Sequence, residues 1–182
     1  MFSQDLKPKF YIKHVAREEA SGAIAEIYKA LPQEVMPPGP VLIKSIVPEL
    51  AGMNAQELGY YFQQTMVPPM VMTAIRYILA VKVNSAYCTN VNGKLLLMGG
   101  LPEEQCEGLV ENKACPFFSN KENALISFAV DATMNPTGIA AKDIETVRAA
   151  GWSDEATLAA VVNAINSVAG INVFKVFQVK EK

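Results

Sequence analysis

The sequence predicts an all-α protein of about seven to eight helices. Three observations predict it. Apolar residues recur at helical spacing in one segment after another, and the breaks between segments carry proline, glycine or capping residues. No run shows the period-two alternation of a half-buried strand. The length of 182 residues fits one domain, 1–182, with residues 1–16 as an extended lead-in and a helical core over about 17–178. A two-lobed helical arrangement fits the same length. The chain is 51% hydrophobic and 19% charged. At this size it is expected to bury roughly 70% of its unfolded surface without help from disulfides or metal. Its apolar content slightly exceeds the usual ~45–50%, which points to further burial between copies and so to a homo-oligomer.

Taken in order, the lead-in carries Pro8 and an alternating Phe10 and Ile12. The first helix is expected from Arg17 to about Leu31, with Ile24, Ile27, Tyr28 and Leu31 on one face and Pro32 as its stop. Residues 36–40, MPPGP, read as a linker. A short helix is expected at Val41–Val47 and another from about Asn54 to Met66, where Leu58, Tyr61, Phe62 and Met66 share a face. Pro68-Pro69 closes that helix and opens a core helix, Met70–Val83, which is apolar nearly all round. A new helix is expected to begin at Ser85, give or take two residues, and to run to Met98. Leu101-Pro102-Glu103-Glu104 is a helix start, with proline in the first turn and acids against the dipole. Ser119-x-x-Glu122 is a capping box, and a helix over about Ala140–Ala150 stops at Gly151. Ser153-Asp154 caps the last helix, whose end, INVFKVF, is rich enough in β-branched and aromatic residues to suit strand or helix. This final helix and the 54–66 helix are the expected contact surfaces between copies.

Charge and composition exclude several functions. Sixteen basic and eighteen acidic residues give a net charge of −2 with no basic stripe, so nucleic acid is not an expected partner. The opening MFSQDLKPKFYIKHV lacks the apolar core of a signal peptide, and no stretch reaches ~18 uninterrupted apolar residues, so no membrane partner is expected. Three cysteines, Cys88, Cys106 and Cys115, suit reduced thiols in the cytoplasm better than a disulfide framework. His14 is the only histidine and lies in the lead-in, where a surface or packing role is expected. Without a histidine cluster or a C-x-x-C pair, neither zinc nor iron is expected. No glycine-rich phosphate loop occurs, and no cofactor is expected. The methionines at 66, 70, 72 and 98 read as core filler.

The stretch that bears chemistry is Thr73 to Gly93, TAIRYILAVKVNSAYCTNVNG. Ser85, Cys88 and Asn92 stand at i, i+3 and i+7 and therefore share one helix face. If the chain turns back near Lys82–Asn84, Thr73 and Asn92 lie at equal depths of ~14 Å on facing helices, with Cys88 between them and the turn. Asn84-Ser85 then caps the new helix, with Cys88 in its first turn, where unpaired N–H groups favour a thiolate. The plainer alternatives are Cys88 as a small buried apolar residue, Tyr87 as a packing aromatic and Ser85 as an N-cap. Cys106 and Cys115 read as structural, although either could resolve an oxidised Cys88.

Asn84-Ser85-Ala86-Tyr87-Cys88 resembles the redox centre of the alkylhydroperoxidase D-like family, also called the carboxymuconolactone decarboxylase family. That centre has a Glu, a C-x-x-C pair twelve residues on, and a His four residues after the second Cys. Here Ser85 stands for the first cysteine, Thr73 for the Glu and Asn92 for the His. The approach PPMVMTAIRYILAVKVN and the closing AAGWSDEATLAAVVNAI are similar to the family too, so the resemblance covers about residues 20–175. It implies a compact multi-helix fold and a proton relay leading to a thiol. In this chain the relay has no titrating member, and no second thiol stands at 85 to close a disulfide. The implied function is weak or vestigial thiol-dependent peroxidase or antioxidant chemistry at one cysteine, Cys88, acting on a small hydroperoxide. The alternative is a catalytically silent small-molecule-binding or assembly protein that keeps the pocket for a small apolar ligand. Decarboxylase or lactone chemistry, as in the family's other branch, is disfavoured by the missing acid–base residues.

Overall fold

The computed structural model describes residues 9–31, 37, 39–111 and 114–179, the side chain at 62 excepted. Pro8, Pro32 and, within the expected linker, Met36 and Pro38 lie outside the described residues. Among those described are nine α-helices: α1 Gly22–Lys29, α2 Gly39–Lys44, α3 Pro48–Gln63, α4 Pro69–Lys82, α5 Ala86–Met98, α6 Glu103–Val110, α7 Asn120–Met134, α8 Ala141–Ala149 and α9 Asp154–Phe177. The only β-pairing among them is an isolated antiparallel bridge between Phe10 and Gln178. The fold is all-α.

Four boundaries differ from the periodicity, one of them the end of the helix expected to reach Met66, since α3 closes at Gln63 and leaves Met66 outside it. The segment expected as a helix from Arg17 begins as a 3-10 turn, Arg17–Glu19; Ala20 is extended and α1 starts only at Gly22, whose φ of +55° breaks the path. The helix expected to run to Val47 stops at Lys44. There the Ser45 hydroxyl and N–H both turn back to the Leu42 carbonyl, at 2.6 and 3.1 Å. The next helix starts six residues earlier than its apolar face suggests, at Pro48, because proline and Glu49 suit a first turn. At the other end, INVFKVF is helical throughout, with Ile171 and Phe174 buried one turn apart. Packing there outweighs β-propensity.

The described residues fall into two compact units, one within Gln64–Ala169 and one within Asp5–Gln63 and Gly170–Lys182. The latter packs Ile24, Tyr28, Val41, Leu42 and Ala51 into one core, with Phe10, Val15, Ile27 and Leu58 against it. The Tyr28 hydroxyl donates to the Val15 carbonyl at 2.8 Å, and the Val15 N–H donates to Ser45 Oγ at 2.8 Å. His14 stacks edge-on with Phe10, which gives it a packing role.

In the unit within Gln64–Ala169, α4 is buried on almost every side, from Val71 through Ala80, and packs against α5, α6 and α7. α7, which it meets, buries Leu125, Phe128 and Ala129 among others. The ends of three helices close in the same way. Ser85 N–H bonds Ala80 O and Asn84 N–H bonds Val81 O; Leu101 N–H bonds Leu96 O and Gly100 N–H bonds Leu97 O; Trp152 N–H bonds Val147 O and Gly151 N–H bonds Arg148 O. Each is a Schellman closure around a left-handed residue, with φ of +53° at Asn84, +92° at Gly100 and +94° at Gly151. Trp152 then anchors the α8–α9 corner, its indole N–H donating to Lys121 O at 2.7 Å while Lys121 Nζ sits 4.5 Å above the ring.

α9 is 24 residues long and, by length and composition, is the helix among those described that could cross a membrane. Its Ala160, Ala164, Ile171 and Phe174 are nonetheless buried within the fold.

The capping box at α7 is complete. Glu122 N–H donates to Ser119 Oγ at 3.3 Å, and Ser119 N–H donates to Glu122 Oε2 at 2.8 Å. Ser119→Ala is expected to cost about 1 kcal/mol, since both orphan donors lose part of their arrangement. Urea unfolding followed by circular dichroism checks it, and an unchanged midpoint would contradict it.

Candidate functional site

The site is built on the reversal between α4 and α5. The left-handed Asn84 ends α4, and α5 begins two residues later at Ala86, so Cys88 is the third residue of the new helix. Ser85 occupies the N-cap position, but its hydroxyl makes no capping bond. The expectation that it caps through its side chain is therefore corrected: Ser85 is the last residue of the Schellman turn, and its backbone N–H does the closing.

Thr73 and Asn92 meet through a residue that motif spacing does not single out. The half-buried Arg76 donates from Nη2 to Thr73 Oγ1 at 2.9 Å and from Nε to Asn92 Oδ1 at 3.2 Å. The Thr73 hydroxyl in turn donates to Pro69 O at 2.9 Å, and Asn92 Nδ2 donates to the Cys88 carbonyl at 2.9 Å. One guanidinium thus clasps α4 to α5 across the positions at which the resembled family carries its acid and base. The signal for Arg76 was available: it stands one helical turn after Thr73 and so shares its face.

Cys88 is 7% exposed and forms no disulfide. Burial pushes its thiol pKa up, and the nearby Ser85 hydroxyl acts weakly in the opposite sense. The Ser85 oxygen has no hydrogen bond of good geometry, so burial prevails. The thiolate expected from the first-turn position is accordingly reversed. The dipole is worth under one pKa unit at an exposed site, and a desolvated sulfur loses more than that. Tyr87, also buried, is raised further above the ordinary phenol range by burial and then by Cys88. The five residues picked from the sequence therefore lie on one hairpin. Thr73, Asn92 and the Cys88 backbone are joined in one hydrogen-bonded chain, which the side chains of Ser85 and Cys88 do not enter.

Among the described residues no group of three or more His, Cys, Asp or Glu is placed to hold a metal ion. The chemistry available to this site is that of a protonated thiol, hydroxyls, an amide and a guanidinium. None of these is a general base near neutral pH.

Similarity to solved structures is extensive over the backbone and low in sequence. A structure of a cysteine-to-alanine variant of the debrominase Bmp8, in complex with 2,3,4-tribromopyrrole, matches with a TM-score of 0.75 at 15% identity, covering 92% of this chain and 89% of that one. An uncharacterized peroxidase-related protein from Silicibacter sp. TM1040 matches with a TM-score of 0.68 at 13% identity, covering 93% and 90%. This is the alkylhydroperoxidase D-like fold. No protein-family model and no curated protein matches the chain. On the alkylhydroperoxidase D-like scaffold, then, a Thr–Arg–Asn clasp stands beside a buried thiol.

Cys88, Cys106 and Cys115 fall on separate tryptic peptides, 83–94, 95–113 and 114–121, so each thiol can be followed alone. Cys88 is expected to react with iodoacetamide more slowly than free cysteine at pH 7, because a raised pKa leaves less thiolate there. Its rate should go on rising with pH beyond the point at which a free thiol levels off. A plateau near neutral pH would show an activated thiolate instead.

Proposed function

We infer that this protein keeps one thiol, Cys88, at the centre of an alkylhydroperoxidase D-like fold, and that Cys88 reacts with small hydroperoxides slowly and with an external thiol to reset it, rather than as an efficient peroxidase. The observation that carries this reading is the Thr73–Arg76–Asn92 clasp beside a buried Cys88: the thiol is kept, and none of the clasp's three side chains is a base that could prepare it. Removing a general base commonly costs 10²–10⁴ in rate. Without a thiol at position 85, a Cys88 sulfenic acid waits for an external thiol to release water and form a mixed disulfide. The debrominase neighbour's brominated pyrrole extends the range of small ligands worth testing on this scaffold.

A second reading, a silent binding protein for a small ligand, is favoured by one observation. The Ser85 hydroxyl, buried beside Cys88, makes no hydrogen bond of good geometry among the described residues and is available to hydrogen-bond a ligand.

Both readings include a cytoplasmic protein that associates with copies of itself. α9 carries no charged side chain from 156 to 174 and exposes Leu158, Val162, Ile165, Val173 and Val176, while α3 exposes Leu50, Met53 and Tyr60. Light scattering at micromolar concentration is expected to give a particle of more than one 19.8 kDa chain, and a monomer would refute self-association.

Hydroperoxide consumption with a dithiol reductant, measured in a Cys106→Ala/Cys115→Ala background with and without Cys88→Ser so that only Cys88 can respond, separates the two readings. The expected result is slow consumption that requires the reductant and is lost in Cys88→Ser. Equal rates in both proteins would favour the silent reading. Fast multiple turnover abolished by the substitution would show a base at work that the clasp does not provide.

A further inference from the structure

Two more thiols lie away from the α4–α5 hairpin: Cys106 in α6 and Cys115 in the segment that leads into α7, nine residues apart in sequence. They are 4% and 2% exposed, and both are free. Cys115 is held at three points. Its N–H donates to Asn123 Oδ1 at 2.9 Å, and its carbonyl accepts from Asn123 Nδ2 at 3.0 Å. Its S–H donates to Gln105 Oε1 at 3.2 Å, and that same oxygen takes the Phe117 N–H at 3.1 Å. Gln105 is the residue next to Cys106, so its amide draws the Cys115 sulfur against the turn of α6 that carries the second thiol. Cys115 also acts on Cys106 through space: burial first, then the Glu103 carboxylate, then Cys115 push the Cys106 pKa up. A packing role alone would be met by any small apolar residue at 115 and would not require a sulfur hydrogen-bonded to an α6 amide.

We propose that Cys106 and Cys115 form a dithiol site, separate from Cys88, that two-electron oxidants (a hydroperoxide or a small disulfide) convert to a Cys106–Cys115 disulfide. With a hydroperoxide, one sulfur attacks the terminal peroxide oxygen and the O–O bond breaks. The alcohol leaves with the thiol proton, and a sulfenic acid remains. The second sulfur then attacks the first, the S–O bond breaks, water leaves and the S–S bond forms. Two thiols are oxidised and one peroxide is reduced. With a small disulfide, one protein thiolate displaces one small thiol, and the other displaces the remaining mixed partner, releasing a second small thiol. The product would tie α6 to the entry of α7, which Gln105 and Asn123 already hold by hydrogen bonds.

Peptide mapping of the full-length chain tests this. The reduced protein is treated with tert-butyl hydroperoxide or with oxidised glutathione, remaining thiols are blocked with iodoacetamide, and the protein is digested with trypsin. The expected product is peptide 95–113 linked to peptide 114–121, formed at about the same rate in wild type and in Cys88→Ser and reversed by dithiothreitol. Cys106→Ala and Cys115→Ala should each abolish it while the circular dichroism stays native. A bond from Cys88 to either thiol, or no bond between 106 and 115 under conditions that oxidise Cys88, would overturn the proposal. So would a 106–115 bond that forms only in urea. The wild-type map decides the matter even if a variant folds poorly.

Discussion

Everything at the candidate site depends on one backbone reversal. Asn84 is held in the left-handed region by two hydrogen bonds that reach back to Ala80 and Val81, and those bonds stop α4 where it stops. Because α5 starts two residues later, positions equally far from the turn come to the same depth on neighbouring helices. That is how Thr73 and Asn92, nineteen residues apart, come to share one guanidinium. Asparagine is among the few residues other than glycine that visit this conformation without a large steric cost. A β-branched residue there would strain the turn and shift the register of the whole pair.

The same reversal accommodates different chemistries. An acid and a base at positions 73 and 92 would form a proton path, whereas a threonine and an asparagine bridged by Arg76 form a strut. The hairpin brings positions 73 and 92 to one guanidinium, and the side chains there hold two helices together. Over most of their length the solved neighbours share the backbone at 13–15% identity, so the scaffold is defined by helix packing and helix ends far more than by the residues at the centre.

Much of this was legible in the sequence, and the exceptions have physical causes. The buried character of α4, the start of α5, the capping box at Ser119 and the stop at Gly151 follow from local patterns, and all stand. The start of α3 was misplaced because apolar spacing marks the buried face of a helix, and its first exposed turn at Pro48 carries no such signal. The state of Cys88 was misjudged for another reason. Its place near a helix N-terminus is a local property, while its burial is set by residues distant in the chain, and burial dominates the thiol. Arg76 lay in plain view, but a comparison by motif positions passes over a residue that no motif names. The partnership of Cys106 with Cys115 depends on the side chain of Gln105, which no spacing rule encodes.

The clasp has an electrical consequence. A Glu and a His would change charge between roughly pH 4 and 7, whereas a guanidinium stays positive and threonine and asparagine do not titrate. With the Cys88 thiol and the Tyr87 phenol both raised above their ordinary ranges, none of the side chains of Thr73, Arg76, Tyr87, Cys88 and Asn92 has reason to gain or lose a proton between about pH 4 and 8. The three side chains of the clasp therefore keep one charge state throughout that interval, and a change of acidity within it leaves the strut between α4 and α5 as it was.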